Sequence, residues 1–123
     1  MRFPQTRAAG LATLLAGAGA SHFVVPGIYD AMIPEALPGS ARGWTIGSGV
    51  TELVVAAAIA LPVTRRYGAL AAAVLFVGVL PANVKTAIDA RRSDSAAYRA
   101  GTILRIPLQA PLLAWAWQVR KEA

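Results

Sequence analysis

The chain has 123 residues, of which 56% are hydrophobic and only 15% are charged. A soluble domain carries about 25% charged residues, so this sequence has too little charge for the polar surface of a small soluble protein, and it is too hydrophobic for intrinsic disorder. The absence of cysteine excludes disulfides, thiolate metal sites and dithiol redox chemistry. The length predicts a single domain over residues 1–123.

Four long stretches with almost no charged residues predict four transmembrane helices. A helix needs about 20 residues to cross the hydrocarbon core of a bilayer, and each stretch has about that length. In chain order, the predicted helices cover residues 8–27, 43–63, 67–84 and 101–119. A short interfacial helix is predicted between the first two, over Ile28–Ile33, and Pro34 ends it. The predicted fold class is all-α, a polytopic membrane protein built as a four-transmembrane-helix bundle.

The apolar stretches allow two other interpretations. A soluble bundle of four uniformly apolar helices would offer no polar face to water. The first stretch also resembles a signal peptide, because Arg2 and Arg7 precede it and Ala18-Gly19-Ala20 could form a cleavage site before Ser21. However, the apolar stretch continues to Ile28, which makes it long enough to span a membrane.

The net charge of +6 lies almost entirely at the helix ends and in the loops. It therefore relates to membrane topology, and we expect no nucleic-acid partner. Four spans place both termini on one side of the membrane, and the tight Arg65-Arg66 turn falls on that same side. Since basic loops are retained in the cytoplasm, the sequence predicts cytoplasmic termini.

Small residues follow one face of two predicted helices. An i+4 series runs along the first helix, and a cluster opens the third; their members are Ala8, Ala12, Ala16 and Ala20, and Gly68, Ala69, Ala72 and Ala73. In a membrane, helices associate by close packing of such residues. The pattern indicates helix–helix contact, either within one chain or between subunits.

Five polar residues interrupt the spans, and all five fall in the half of the bilayer away from the termini. They are His22, Glu52, Asn83, Arg105 and Gln109. Because an ionised side chain in hydrocarbon is costly, we expect Glu52 and Arg105 to pair inside the bundle. The other three would complete the hydrogen bonds. These five residues are the predicted ligand-binding set, in a pocket open toward the side opposite the termini; the alternative is a structural clasp that fixes helix register.

Other site chemistries find little support in the sequence. A single histidine without cysteine cannot build a standard transition-metal site, so no metal site is predicted. The catalytic candidates are His22 and Glu52, as an acid–base pair. The chain nevertheless fits a binding protein better than an enzyme.

An ordered set of short motifs runs through nearly the whole chain. They are Ala18-Gly19-Ala20-Ser21-His22-Phe23, Met32-Ile33-Pro34, Ser48-Gly49-Val50-Thr51-Glu52-Leu53, Leu80-Pro81-Ala82-Asn83-Val84 and Arg105-Ile106-Pro107-Leu108-Gln109. This set resembles the DoxX-like family of small bacterial four-helix membrane proteins. Some proteins that resemble this family are a thiosulfate:quinone oxidoreductase subunit or a membrane anchor beside oxidative-stress enzymes. The resemblance implies a four-helix bundle in the bacterial cytoplasmic (inner) membrane. It also implies a redox association, which in a chain without cysteine would act through a bound quinone.

The sequence leaves three function hypotheses. The leading one is an accessory or binding subunit whose polar pocket holds a lipid-like or quinone-like ligand or a partner subunit. The second is a membrane enzyme in which His22 and Glu52 act on an isoprenoid or quinone and Arg105 stabilises an anion. The third is a small transporter, which would need a homo-oligomer. The expected partners are the lipid bilayer and a second copy or another membrane subunit.

Overall fold

The computed structural model describes residues 2–123, with side chains from residue 5 onward. Helices account for 82% of the chain, and the described residues contain no strand, so the all-α prediction is confirmed. In chain order the helices are α1 (Arg2–Val24), α2 (Pro26–Asp30), α3 (Ala41–Ala60), α4 (Arg65–Gly78), α5 (Leu80–Ala90) and α6 (Ala96–Glu122).

Proline and polar caps set most of the helix ends. A residue before proline avoids the helical region, and Val25, with φ −130° and ψ 59°, separates α1 from α2, where Pro26 takes a first-turn position. The short helix predicted at residues 28–33 therefore lies at Pro26–Asp30 instead. Ser40 caps α3 by accepting a hydrogen bond from the Gly43 N–H at 3.0 Å, and Ser95 caps α6 in the same way from Tyr98 at 3.1 Å.

The third predicted span is longer than expected and consists of two consecutive helices. Only Val79 separates α4 from α5, and Pro81 stands at the start of α5, where its missing N–H costs least. Together the two helices continue to Ala90 rather than ending at residue 84. The fourth predicted span is also extended, since α6 accommodates Pro107 and Pro111 and continues to Glu122.

Contacts between the long helices form a closed cycle. α1 packs on α3, α3 on α4, α4 and α5 on α6, and α6 returns to α1. α3 and α6 thus occupy opposite corners. The core contains Leu11, Ile59 and Val119, all at most 1% exposed.

The small residues predicted at helix contacts are used inside the protomer. Ala8 and Ala12 are buried in the core, and so are Ala69 and Ala72. The α4 cluster includes Gly68, where an added Cβ would lie 2.8 Å from the backbone nitrogen of Ile59. The sequence left open whether these small residues make contacts within one chain or between subunits, and most of the contacts are internal. Ala20, at the far end of the series, is exposed.

Two segments of the described chain are long and apolar enough to cross a membrane. They are Ala41–Ala60, with a mean hydropathy of 1.4, and Arg65–Ala90, with 1.8. Only 28% and 33% of their most apolar windows are buried, whereas a core helix of a soluble protein would be mostly buried. Length and composition thus support two of the four predicted spans, and the other two remain predictions.

Candidate functional site

The end of α1 and the middle of α3 bring two ionisable side chains together. His22 Nδ1 lies 3.3 Å from Glu52 Oε2, with side chains 8% and 13% exposed. His22 Nδ1 also lies 2.7 Å from the carbonyl oxygen of Ala18. Because a carbonyl can only accept, this nitrogen carries a hydrogen and donates it to Ala18. Glu52 Oε2 therefore lies next to the imidazole but does not accept a well-directed hydrogen bond from it. This oxygen has no other hydrogen-bond partner in the described chain.

A close approach between α1 and α3 makes this contact possible. Both helices have glycine at the crossing, Gly19 and Gly49. A Cβ on Gly49 would lie 2.8 Å from the Cβ of His22, and one on Gly19 would lie 2.9 Å from the carbonyl oxygen of Gly49. Glycine here lets the backbones come close enough for His22 to reach Glu52, since small residues permit close helix crossings.

Tyr29 of α2 covers the histidine. Its ring stacks on the imidazole of His22 with ring centroids 3.7 Å apart and an interplanar angle of 14°. Its hydroxyl forms a hydrogen bond with the Ser21 hydroxyl. Two consecutive residues of α1 therefore hold one side chain of α2.

Tyr29 also lines a pocket between α2, α5 and α6. The pocket has a volume of ≈ 270 Å³ and is lined by Ile28, Tyr29, Met32, Asn83, Arg105, Leu108, Gln109 and Leu112. We call it the Arg105 pocket. Four of its residues are aliphatic or thioether side chains, and the others are an aromatic ring, two amides and one guanidinium.

The two amides and the guanidinium of the Arg105 pocket have no protein partner among the described residues. Asn83 is only 6% exposed, yet no hydrogen bond reaches its side-chain amide from the described chain. Gln109 Oε1 is buried and accepts no hydrogen bond. Arg105 forms neither an ion pair nor a side-chain hydrogen bond with any described residue. Most buried polar groups are satisfied, so the unpaired amides of Asn83 and Gln109, beside the exposed and unpaired guanidinium of Arg105, need an explanation.

The predicted Glu52–Arg105 ion pair is wrong. Glu52 lies beside His22, while Arg105 is exposed and lines the pocket on α6. The reason is the helix arrangement, because α3 and α6 occupy opposite corners of the cycle and α1 is the main neighbour of α3. The five predicted residues consequently form two groups, His22 with Glu52 and Asn83 with Arg105 and Gln109.

A network of hydrogen bonds holds α2 in place beside both groups. Asp30 accepts from the Thr45 hydroxyl at 2.6 Å, and the Arg42 Nη2 lies 2.9 Å from its other oxygen. The hydrogen bond from Arg42, followed by that from Thr45, lowers the pKa of Asp30 below its ordinary value. Lys85 of α5 donates to the carbonyl of Ala31 at 2.8 Å. α3 and α5 therefore both hold the segment that carries Tyr29.

Sequence reasoning missed Tyr29, which stacks on His22 and also lines the Arg105 pocket. The only available signal was an aromatic residue with a hydroxyl inside the predicted short helix, eight residues after Ser21. No group of three or more metal-binding side chains occurs in the described part of the chain.

The match to a protein family includes both groups of predicted site residues. A family model described as "Domain of unknown function (DUF8561)" matches residues 11–120. The chain belongs to the DUF8561 family. No curated protein matches the sequence, and no solved structure matches it. Every residue of the Arg105 pocket and of the His22–Glu52 pair lies within the DUF8561 match, whose description assigns no activity. The resemblance to the DoxX-like family is not tested by these findings and stays a prediction.

Proposed function

We propose that this protein is a small bacterial inner-membrane protein with four spans that binds a lipid-like or quinone-like ligand in the Arg105 pocket. The proposal has two parts, a membrane topology and a binding site, and different observations support each of them.

Exposed apolar side chains support the membrane location. Val54 of α3 is 62% exposed, Val74 of α4 66% and Ile103 of α6 57%. The accessible surface is 7452 Å², against about 6,300 Å² for a soluble monomer of this mass. A surface this large and this apolar is unfavourable in water and suited to lipid.

Contacts at the helix ends support the proposed topology. Arg7 pairs with Glu122, and the Trp115 indole N–H donates to the carbonyl of Arg7 at 2.9 Å. Both ends of the described chain therefore lie together, as an even number of spans requires. Ile59, near the α3–α4 turn, joins the same core cluster as Ala8 and Val119. The basic Arg65-Arg66 turn thus lies at the end with the termini, which supports cytoplasmic placement of that end.

The binding site is supported by one observation above the others. Asn83, Arg105 and Gln109 line one pocket, and each lacks a partner among the described residues. Leaving a buried polar group such as Gln109 Oε1 unpaired costs about 1–3 kcal/mol, so a ligand that pairs with it recovers that free energy. The aliphatic side chains of Ile28 and Leu108 suit the apolar part of such a ligand.

Quantification of amphiphiles that copurify with the protein tests the binding site. We expect a defined amount of lipid or quinone to remain with the wild type through detergent purification and to fall severalfold in Gln109→Leu. Gln118→Leu is the matched control, since Gln118 is on the same helix and does not line the pocket. Equal amounts in all three proteins, or none in the wild type, would contradict the proposal.

An enzymatic role is the second candidate, and the 3.3 Å distance between His22 and Glu52 favours it. In that case Glu52 would hold the imidazole for proton transfer. A bell-shaped pH–rate profile on an isoprenoid or quinol, lost in His22→Ala, would support this role. Absence of turnover across extracted lipids and quinols would count against it.

A further inference from the structure

We infer that the polar end of the ligand is an anion, a carboxylate or a phosphate bound by the guanidinium of Arg105. This inference rests on the proposed function and narrows its ligand class. The expected ligand is then an anionic amphiphile and not a neutral quinone or a neutral lipid.

The lining of the Arg105 pocket has a net positive charge. Arg105 is its only formally charged residue, and no acidic side chain lines it. The guanidinium stays protonated under all physiological conditions. In a membrane environment such a charge is expensive unless an anion lies beside it. The pocket therefore has an uncompensated positive charge that a neutral ligand would leave in place.

The acidic residues on the helices that line the pocket are already paired with other bases. Each of the three helices that line the pocket contains one acidic residue: Asp30 in α2, Asp89 in α5 and Glu122 in α6. These three pair with Arg42, Lys85 and Arg7, respectively. Glu52 lies beside His22. No carboxylate of these helices is left for Arg105. Glu35 and Asp94, in the loops after α2 and α5, do not line the pocket and form no ion pair with Arg105. A bound ligand is therefore the source of an anion inside the pocket.

The neighbouring side chains can complete an anion site. A guanidinium binds carboxylate and phosphate oxygens through two parallel N–H groups. The amide of Asn83 supplies a further N–H donor in the same pocket. Gln109 can do the same, because a 180° rotation of its terminal amide exchanges oxygen for nitrogen with little change in shape.

The volume of the pocket indicates how an amphiphile would fit. At ≈ 270 Å³ it lies just below the usual range of 300–1,000 Å³ for ligand pockets. It therefore suits a headgroup rather than a whole lipid. Leu108 and Ile28 line it and are 55% and 61% exposed, so an acyl chain leaving the pocket would pass over apolar surface.

A headgroup series on the purified protein tests the inference. Three probes share one oleyl or oleoyl chain and differ at the polar end: oleate, oleoyl lysophosphatidate and oleyl alcohol. Decylubiquinone is the neutral quinone probe. Binding is measured by isothermal titration in a neutral detergent, with folding of every variant checked by circular dichroism. The comparison of oleate with oleyl alcohol needs no variant, so it remains decisive even if a substitution impairs folding.

We expect at least one of the two acids to bind tenfold or more tightly than oleyl alcohol and decylubiquinone. Arg105→Gln should abolish this difference, and Arg105→Lys should retain part of it, because lysine keeps the charge but not the two-pronged geometry. Arg92→Gln is the control for non-specific attraction, since Arg92 is exposed and lies outside the pocket. The tighter of the two acids distinguishes a carboxylate from a phosphate source.

Two other results separate this inference from the function on which it rests. If decylubiquinone or oleyl alcohol binds as tightly as the acids, the anionic class is overturned while ligand binding stands. If none of the four probes binds, both the inference and the proposed binding function fail. An equal loss of acid binding in Arg92→Gln and Arg105→Gln would also overturn the assignment to Arg105.

Discussion

Tyr29 stacks on His22 with a ring-centroid distance of 3.7 Å, and the same Tyr29 lines the Arg105 pocket. One aromatic ring therefore lies against both groups of predicted site residues. Its position depends on α2, a helix of only five residues that Asp30 holds to α3. The short helix is thus the element that connects the two halves of the site.

Removing the Tyr29 ring should lower the stability of the fold. Tyr29→Ala loses the stacking contact and opens space beside His22. We therefore expect the free energy of unfolding to fall by about 2 kcal/mol, less than for a fully buried aromatic side chain. Tyr29→Phe loses only the hydrogen bond with Ser21 and should cost about 1 kcal/mol or less. Thermal unfolding in detergent measures both effects.

The control for Tyr29 is Tyr67→Ala. Tyr67 is 69% exposed and lies near the start of α4, away from the pocket. Its removal should leave the stability almost unchanged. If Tyr67→Ala lowered the stability as much as Tyr29→Ala, the stacking contact would have no special role.

Acidification should destabilise the protein through Asp30. The pKa of Asp30 is lowered in the folded state by its hydrogen bonds from Arg42 and Thr45. A carboxyl with a depressed folded pKa contributes stability that is present above its unfolded pKa of about 3.9. This contribution is lost as the pH falls through the folded pKa. We therefore expect the melting temperature of the wild type to fall more steeply below about pH 4 than that of Asp30→Asn.

Asp94→Asn is the matched substitution for this pH series. Asp94 is exposed and forms no ion pair with the described residues. Its variant should retain the steep acid dependence of the wild type. Parallel curves for wild type and Asp30→Asn would show that this network contributes nothing to the pH dependence.

The α1–α3 crossing should tolerate no side chain at Gly49. A Cβ there would lie 2.8 Å from the Cβ of His22 and 2.9 Å from the ring of Phe23, and overpacking of this kind costs about 1–3 kcal/mol. Gly47→Ala, two residues earlier in the same helix, meets nothing within 4 Å. Since alanine favours helix over glycine by about 1 kcal/mol, Gly47→Ala should be neutral or stabilising. Equal melting temperatures for the two variants would contradict this account of the crossing.

How far the sequence predicted the structure depends on the kind of signal. Uninterrupted apolar stretches gave the all-α class and the approximate places of the long helices, because helix length and apolarity are local properties. Pro81 did not end the third helix, since a proline at the start of α5 loses no hydrogen bond. The short helix was predicted near its observed position, shifted by the preference of Pro26 for a first-turn position.

The five predicted site residues are paired differently from the prediction. Glu52 lies beside His22 instead of Arg105, while Asn83, Arg105 and Gln109 line a separate pocket. Charge complementarity alone favoured the pair of opposite formal charges. Which helices are neighbours depends on small-residue contacts such as Gly19 with Gly49, and no single-sequence pattern specified that these two glycines meet.

The absence of cysteine makes the proposed topology directly testable. Single substitutions Val63→Cys and Ala123→Cys lie near the terminal end of the molecule, and Glu35→Cys and Asp94→Cys lie in the loops after α2 and α5. In intact cells, a membrane-impermeant maleimide should label the second pair and not the first, since four spans with cytoplasmic termini place the two pairs on opposite sides. Labelling of all four sites would rule out a membrane between the two ends.

Native mass spectrometry of the wild-type protein released from its own membranes tests the binding claim most directly. Asn83, Arg105 and Gln109 lack partners among the described residues and share one pocket. The account predicts a species heavier than the 12.8 kDa chain by the mass of one amphiphile, and a reduced adduct in Arg105→Gln. A wild-type protein that appears only at the mass of the bare chain, at collision energies that preserve known lipid adducts, would contradict it.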